Sequence, residues 1–294
     1  MNTIHYRTID VNGVSVFYRE SGDRLNPHIL LLHGYPSSSF MFRNLMPVLG
    51  EDYHVIAPDL PGFGFSAVPD SGEFAYTFEN LTAVLQKFID LLQLDRFSVY
   101  LFDYGAPIGL RLAMANPDRI GGIISQNGNA YEEGLSNGWN PIQKYWRDPN
   151  PANRNELRKF MTAEFTAYQY REGVADQTLI APDGIELDQH FLDRPGNIEI
   201  QLDLLKDYIS NVLLYPSFHR YLKEYQPPFL AVWGNRDPYF LPVGAEAYKK
   251  DLPNATIKFF DTGHFALETH FEEIGREILQ FLQKEVDAVE EISH

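Results

Sequence analysis

The sequence predicts an α/β fold, a mostly parallel sheet with helices on both faces. Three observations carry that prediction. Short continuous apolar runs such as Ile29–Leu32 and Phe97–Phe102 recur along the chain, as in strands buried on both faces. Stretches with helical spacing of apolar residues separate them. Each run ends in turn-forming or chemically reactive residues rather than in more apolar sequence. The composition agrees: 294 residues, 44% hydrophobic and 22% charged. This excludes disorder, collagen or coiled coil as the main state, and suits one large domain or two small ones.

The elements follow in order. Thr8–Val11 and Val14–Tyr18 flank Asn12-Gly13, the turn pair of a hairpin. Ile29–Leu32 is a buried strand, and a helical stretch is expected over 40–49. Val55–Ala57 is a strand. Residues 80–94 carry apolar side chains at 81, 84, 85, 88, 91 and 92, which is helical spacing. Phe97–Phe102 is a strand, 106–116 a helix stopped by Pro117, and Ile120–Ile124 a strand. Phe229–Trp233 and Thr256–Phe260 are the last strands, with helices over 242–252 and 271–286. Between them, 131–226 has no convincing strand and is rich in Tyr, Trp, Asn and Pro, with helical pieces at 155–165 and 198–211. It is expected to be a helical lid inserted into a core made of 1–130 and 227–294. The acidic tail after Lys284 is expected to fray.

Charge and composition also exclude function classes. The net charge is −16, and so acidic a surface repels phosphate backbones and anionic lipid. Nucleic acid and membrane are therefore not expected partners. There is no Cys, hence no disulfide, thiolate metal site or Cys nucleophile. The N-terminus lacks a basic segment followed by an apolar core, and no apolar run reaches the roughly 20 residues of a spanning helix. A cytoplasmic protein is expected. The nine His residues show no metal-ligand spacing, and Gly62-Phe63-Gly64 opens no helix as a dinucleotide fingerprint would. No cofactor is implied.

In open α/β sheets, sites form at the carboxyl ends of the strands. Those ends hold His33-Gly34-Tyr35-Pro36, Asp59, Asp103-Tyr104-Gly105, Gly234-Asn235-Arg236-Asp237 and Thr262-Gly263-His264. Taken singly, each has a plain structural explanation: Asp103 could cap the next helix, and a lone His more often serves packing. The set is more informative. LLLHGYPSSSFMFRNLMPVL, VIAPDLPGFGFS, VYLFDYGAPIGLRLAMANPDRI, LAVWGNRDP and FFDTGHFALETHFEEI resemble, in order and spacing, the α/β-hydrolase fold superfamily. The likeness is to its Asp-nucleophile branch of epoxide hydrolases, haloalkane dehalogenases and fluoroacetate dehalogenases. It covers nearly the whole chain and is weakest in the lid.

That resemblance implies roles. Asp103 stands at the nucleophile elbow, and no Gly-x-Ser-x-Gly occurs, which disfavours a serine esterase. Leu101 departs from the usual Gly, though dehalogenases accept an aliphatic residue there. His264 takes the base position and Asp237 the acid, with Glu132 or Glu133 as alternative acids. The backbone N–H groups of Tyr35 and Tyr104 take the oxyanion-hole positions. A carboxylate nucleophile displaces at carbon and leaves an alkyl-enzyme ester, which a His-activated water then hydrolyses.

The leaving group divides the family. Haloalkane dehalogenases place Trp after the nucleophile, and fluoroacetate dehalogenases Arg; this chain has Tyr104. The lid Trp residues are Trp139 and Trp146. Epoxide hydrolases use two lid tyrosines, and here Tyr145 and Tyr215 sit like that pair. The expectation is an epoxide hydrolase-like enzyme for a small, largely apolar organic substrate. Alternatives are a dehalogenase of the same fold and, from another class, a non-catalytic ligand-binding relative. An intact Asp103, Asp237 and His264 set disfavours the last.

Overall fold

A computed structural model describes residues 3–287. The chain opens with a hairpin, β1 (His5–Val11) and β2 (Val14–Ser21). Asn12 and Gly13 both have positive φ, 54° and 88°, the conformation a two-residue hairpin turn demands. The remaining strands are β3 (His28–Leu32), β4 (His54–Pro58), β5 (Phe97–Phe102), β6 (Ile120–Gln126), β7 (Phe229–Gly234) and β8 (Thr256–Phe260). They form one eight-stranded sheet in the order β1-β2-β4-β3-β5-β6-β7-β8. The β1/β2 and β2/β4 pairs are antiparallel; all pairs from β4 to β8 are parallel. Every residue of β4, β5, β6 and β7 is buried. That burial on both faces is why their sequences are continuous apolar runs.

The helices are α1 (Leu45–Leu49), α2 (Phe78–Leu91), α3 (Gly105–Ala115), α4 (Asn140–Arg147), α5 (Pro151–Glu156), α6 (Ala163–Arg171), α7 (Pro182–Leu192), α8 (Asn197–Asp207), α9 (Ile209–Tyr225), α10 (Pro242–Ala247) and α11 (Leu267–Phe281). Two apolar clusters fill the two faces of the sheet, one led by α2, α3 and the 131–226 segment, the other by α1 and α11. Helices α4 to α9 all lie between β6 and β7, and that segment contains no strand; a single bridge pairs Leu135 with Phe240.

Several expected helices differ in detail. The 40–49 stretch is a 3₁₀ turn, Ser39–Phe42, followed by α1. Pro47 has no N–H and its ring would crowd the Arg43 carbonyl, which disfavours one unbroken helix across 40–49. The 155–165 piece is interrupted at Thr162, whose hydroxyl caps α6 by accepting from Phe165 N. The 242–252 helix tightens after Ala247 into a 3₁₀ turn. The last helix starts a turn early and kinks at His270. It continues past Lys284 as a π-helical turn, Leu282–Asp287, that buries Val286. The rest of the tail lies outside the described residues. Among the described residues no helix is long and apolar enough to cross a membrane.

Candidate active site

The site is assembled at the carboxyl ends of β3, β5, β6, β7 and β8. Asp103 stands between β5 and α3 with φ of 48°, a left-handed conformation that lifts its side chain above the sheet. Two glycines make this possible. A Cβ on Gly34 would lie 2.4 Å from Asp103 Oδ1, and one on Gly109 would lie 2.1 Å from Leu101 Cδ2. Gly109 thus makes the room that Leu101, in place of the usual glycine, requires.

Asp103 is buried, 7% exposed. Its Oδ1 accepts from Tyr35 N at 2.6 Å, and the Tyr104 N–H also points to the carboxylate. Oδ2 faces His264 Nε2 across 3.9 Å, too far for a hydrogen bond. Oδ1 is therefore held by the Tyr35 N–H, while Oδ2 makes no hydrogen bond to His264. Burial pushes the carboxyl up to about 6, against the opposing pull of His264 and the two N–H groups. His264 Nδ1 donates to Asp237 Oδ2 at 2.6 Å. Burial disfavours a charged imidazole, but Asp237 and Asp103 outweigh it and hold His264 above its ordinary value. Asp237 in turn accepts from Tyr239 N at 2.7 Å and Phe240 N at 3.1 Å on Oδ1. The sequence-expected residues Asp103, His264, Asp237, Tyr35 and Tyr104 are thus brought together.

Other expected residues are not. Glu132 and Glu133 are exposed on a 3₁₀ turn, and Glu133 pairs with Lys250. Neither faces His264, so the alternative acid positions are corrected. Asp59 is spent on structure, accepting from Ser39 N and Phe65 N at 2.7 Å each. The two lid tyrosines also need correction, because neither lines the cavity beside Asp103. Trp139 and Ile142, one turn apart at the start of α4, take the cavity-facing positions. Tyr145 lies a further turn along, and its hydroxyl meets Arg154 Nη1 at 3.3 Å in a separate groove beside Tyr76 and Asp203. The Tyr215 hydroxyl accepts from Asn129 Nδ2 at 3.3 Å behind the cavity wall.

The cavity itself is small, about 40 Å³, and mostly apolar. Asp103 and His264 form its floor; Trp139, Phe160, Gln169 and Tyr239 are among its walls. Trp139 Nε1 and Gln169 Nε2 are both buried and have no hydrogen-bond partner, whereas Trp146 Nε1 is spent on Leu205 O at 2.8 Å. The Tyr104 hydroxyl, on a third lining residue, is also buried without a partner. Since open buried polar groups are costly, three residues of the cavity lining hold hydrogen-bonding capacity not spent within the chain. Gln169 and Tyr239 went unnoticed in the sequence because no motif marks them; only tertiary packing turns them inward.

The α/β hydrolase fold family model matches residues 27–271. An uncharacterized hydrolase of Saccharomyces cerevisiae is 44% identical over 272 residues, covering 91% of this chain and 93% of its own. A haloalkane dehalogenase of Psychrobacter cryohalolentis is 27% identical over 301 residues, covering 95% of this chain and 91% of its own. Among solved structures, the epoxide hydrolase CorEH superposes with a TM-score of 0.78 at 19% identity, covering 96% of this chain and 99% of that one; at that identity the likeness speaks for the fold. With the sheet order, the strand-end site and a family match over most of its length, the chain belongs to the α/β-hydrolase fold family and is a hydrolase.

Proposed function

We propose that this hydrolase works through a covalent alkyl ester on Asp103 and acts on a small, largely apolar electrophile. The supporting observation is the asymmetry of Asp103 at the cavity floor: Oδ1 sits on the Tyr35 N–H while Oδ2 makes no hydrogen bond to His264. Oδ2 attacks carbon, the carbon–leaving-group bond breaks, and the leaving group departs with its electron pair. His264 Nε2 then takes a proton from water as that water attacks the ester carbonyl carbon. Negative charge develops on Oδ1, against the Tyr35 and Tyr104 N–H groups; losing one such donor typically costs about 10²–10³-fold. Collapse returns the proton from His264 to the departing alcohol, and the water's oxygen stays in Asp103. Asp237 orients the imidazole and stabilises its cation. Residues 131–226 act as the lid, on a core of 1–130 and 227–294.

For the leaving group, the open N–H donors of Trp139 and Gln169 favour halide, while the open Tyr104 hydroxyl serves either reading. An indole N–H and a carboxamide N–H hydrogen-bond an anion but do not surrender a proton, which suits an atom that leaves as a stable anion. The epoxide reading keeps one supporting observation: Tyr239 lines the cavity, and burial raises its phenol so that it stays protonated. A phenol can donate to an opening epoxide oxygen, typically worth 10²–10⁴-fold. Side-by-side assays of halide release from short bromoalkanes and diol formation from epoxides decide between them. Halide release lost in Trp139→Phe but retained in Tyr239→Phe supports the halide reading. Diol formation lost in Tyr239→Phe, with no halide release by the wild type, overturns it.

A further inference from the structure

The side chain of Asn127 is bound on every side to the parts of the site that matter for the second half of the reaction. It follows the last residue of β6, is fully buried, and has a φ of 46°. Its Oδ1 accepts from Gly234 N at 2.9 Å, and its Nδ2 donates to Gly234 O at 3.2 Å and to Asp237 Oδ2 at 2.8 Å. Because Gly234 N can only donate, the amide cannot be flipped, and its N–H must face Asp237. The carboxylate of Asp237 is thereby held at both ends. Tyr239 N and Phe240 N fix Oδ1, while Asn127 and His264 share Oδ2. Gly234 itself passes so close to the His264 turn that a Cβ there would lie 1.9 Å from Gly263 O. The amide therefore joins the end of β6, the end of β7 and the acid.

We propose that Asn127 is a positioning residue for ester hydrolysis: its amide fixes the Asp237 oxygen that His264 Nδ1 donates to, and draws charge from that oxygen. This rests on the Asp103 ester reading. The charged groups that face His264 are Asp237 from the loop after β7 and Asp103 from the β5 elbow; Asn127 contributes no charge and tunes the first of these. Attack by Asp103 needs no base, so losing the amide leaves ester formation alone. Hydrolysis needs an aimed and neutral His264, so it suffers.

The test separates the two steps by quench-flow and mass spectrometry with a short bromoalkane. In Asn127→Asp, an isosteric change, an anion replaces the donor on Asp237. Ester formation should stay within about threefold of wild type. Hydrolysis should slow by about 10- to 100-fold, the cost of one charge-assisted hydrogen bond. The acid limb of hydrolysis should move up by about one pH unit, because added negative charge favours the imidazolium. Asn127→Gly, which suits the positive φ, should slow hydrolysis alone without the anion's shift of the limb. Equal slowing of both steps, or an unmoved acid limb in the folded Asp variant, overturns the proposal. If the wild type forms no ester with the bromoalkane, the same comparison is run with a short epoxide; no ester with either substrate overturns the Asp103 reading instead.

Discussion

Replacing Asp103 with Asn should abolish turnover and at the same time stabilise the protein. The carboxyl is buried and held up at about 6 against an ordinary value near 3.8. A gap of about two pH units is worth about 3 kcal/mol. The sign follows from proton binding. The folded state holds this proton more tightly than the unfolded state, so the wild type loses stability as pH rises from about 4 to about 6 and carries the full penalty above 7. An amide avoids the penalty and still offers Oδ1 to Tyr35 N. At roughly 2.1 cal/mol/K per residue, unfolding this chain of 294 residues has an entropy near 0.6 kcal/mol/K. The expected rise in Tm is therefore about 5 °C at pH 8, where His264 contributes least. Calorimetry of both proteins from pH 4 to 8 checks this, and the difference should shrink toward zero at pH 4. A variant no more stable than wild type at pH 8, or an advantage unchanged at pH 4, would refute the reasoning.

Two further outcomes are expected. In single-turnover kinetics, the acid limb of ester formation should lie near pH 6, where Asp103 ionises, and that of hydrolysis should follow His264, which keeps the Asp237 charge beside it but loses that of Asp103 once the ester forms; a hydrolysis limb that does not move in Asp237→Asn would contradict the separate roles. Tyr145→Phe and Tyr215→Phe should each keep turnover within about fivefold, since neither hydroxyl faces the cavity and loss of one ordinary hydrogen bond costs about 1 kcal/mol; a 10²-fold loss in either would restore the expected tyrosine pair.

The strands were legible because their burial is written in composition. Phe97–Phe102 and the Phe229–Trp233 part of β7 fall where the apolar runs fall, and the chain direction of a parallel sheet leaves few other arrangements. Asp103, Asp237 and His264 were legible as candidates because the backbone that presents them is unusual: a left-handed elbow, a turn after β7 and a glycine turn after β8 each leave a residue signature. The lid was not legible in this way. A helix shows which residues repeat, but not how it is rotated against its neighbours. Tyr145 therefore looked as suitable as Ile142, which holds the inward position. Gln169 and Asn127 matter only through contacts with residues distant in sequence, and Asn and Gln in loops or on helix faces give no warning of that.

The central claim is that Asp103 is alkylated during turnover. In His264→Gln, attack by Asp103 is intact but no base remains to activate water. Incubating that variant with a substrate the wild type converts, then weighing the intact protein and its peptides, tests the claim directly. The account predicts one added alkyl group per chain, carried on the peptide containing Asp103, with hydrolysis slowed so far that the adduct accumulates. An unmodified protein, or an adduct on another residue, would contradict it.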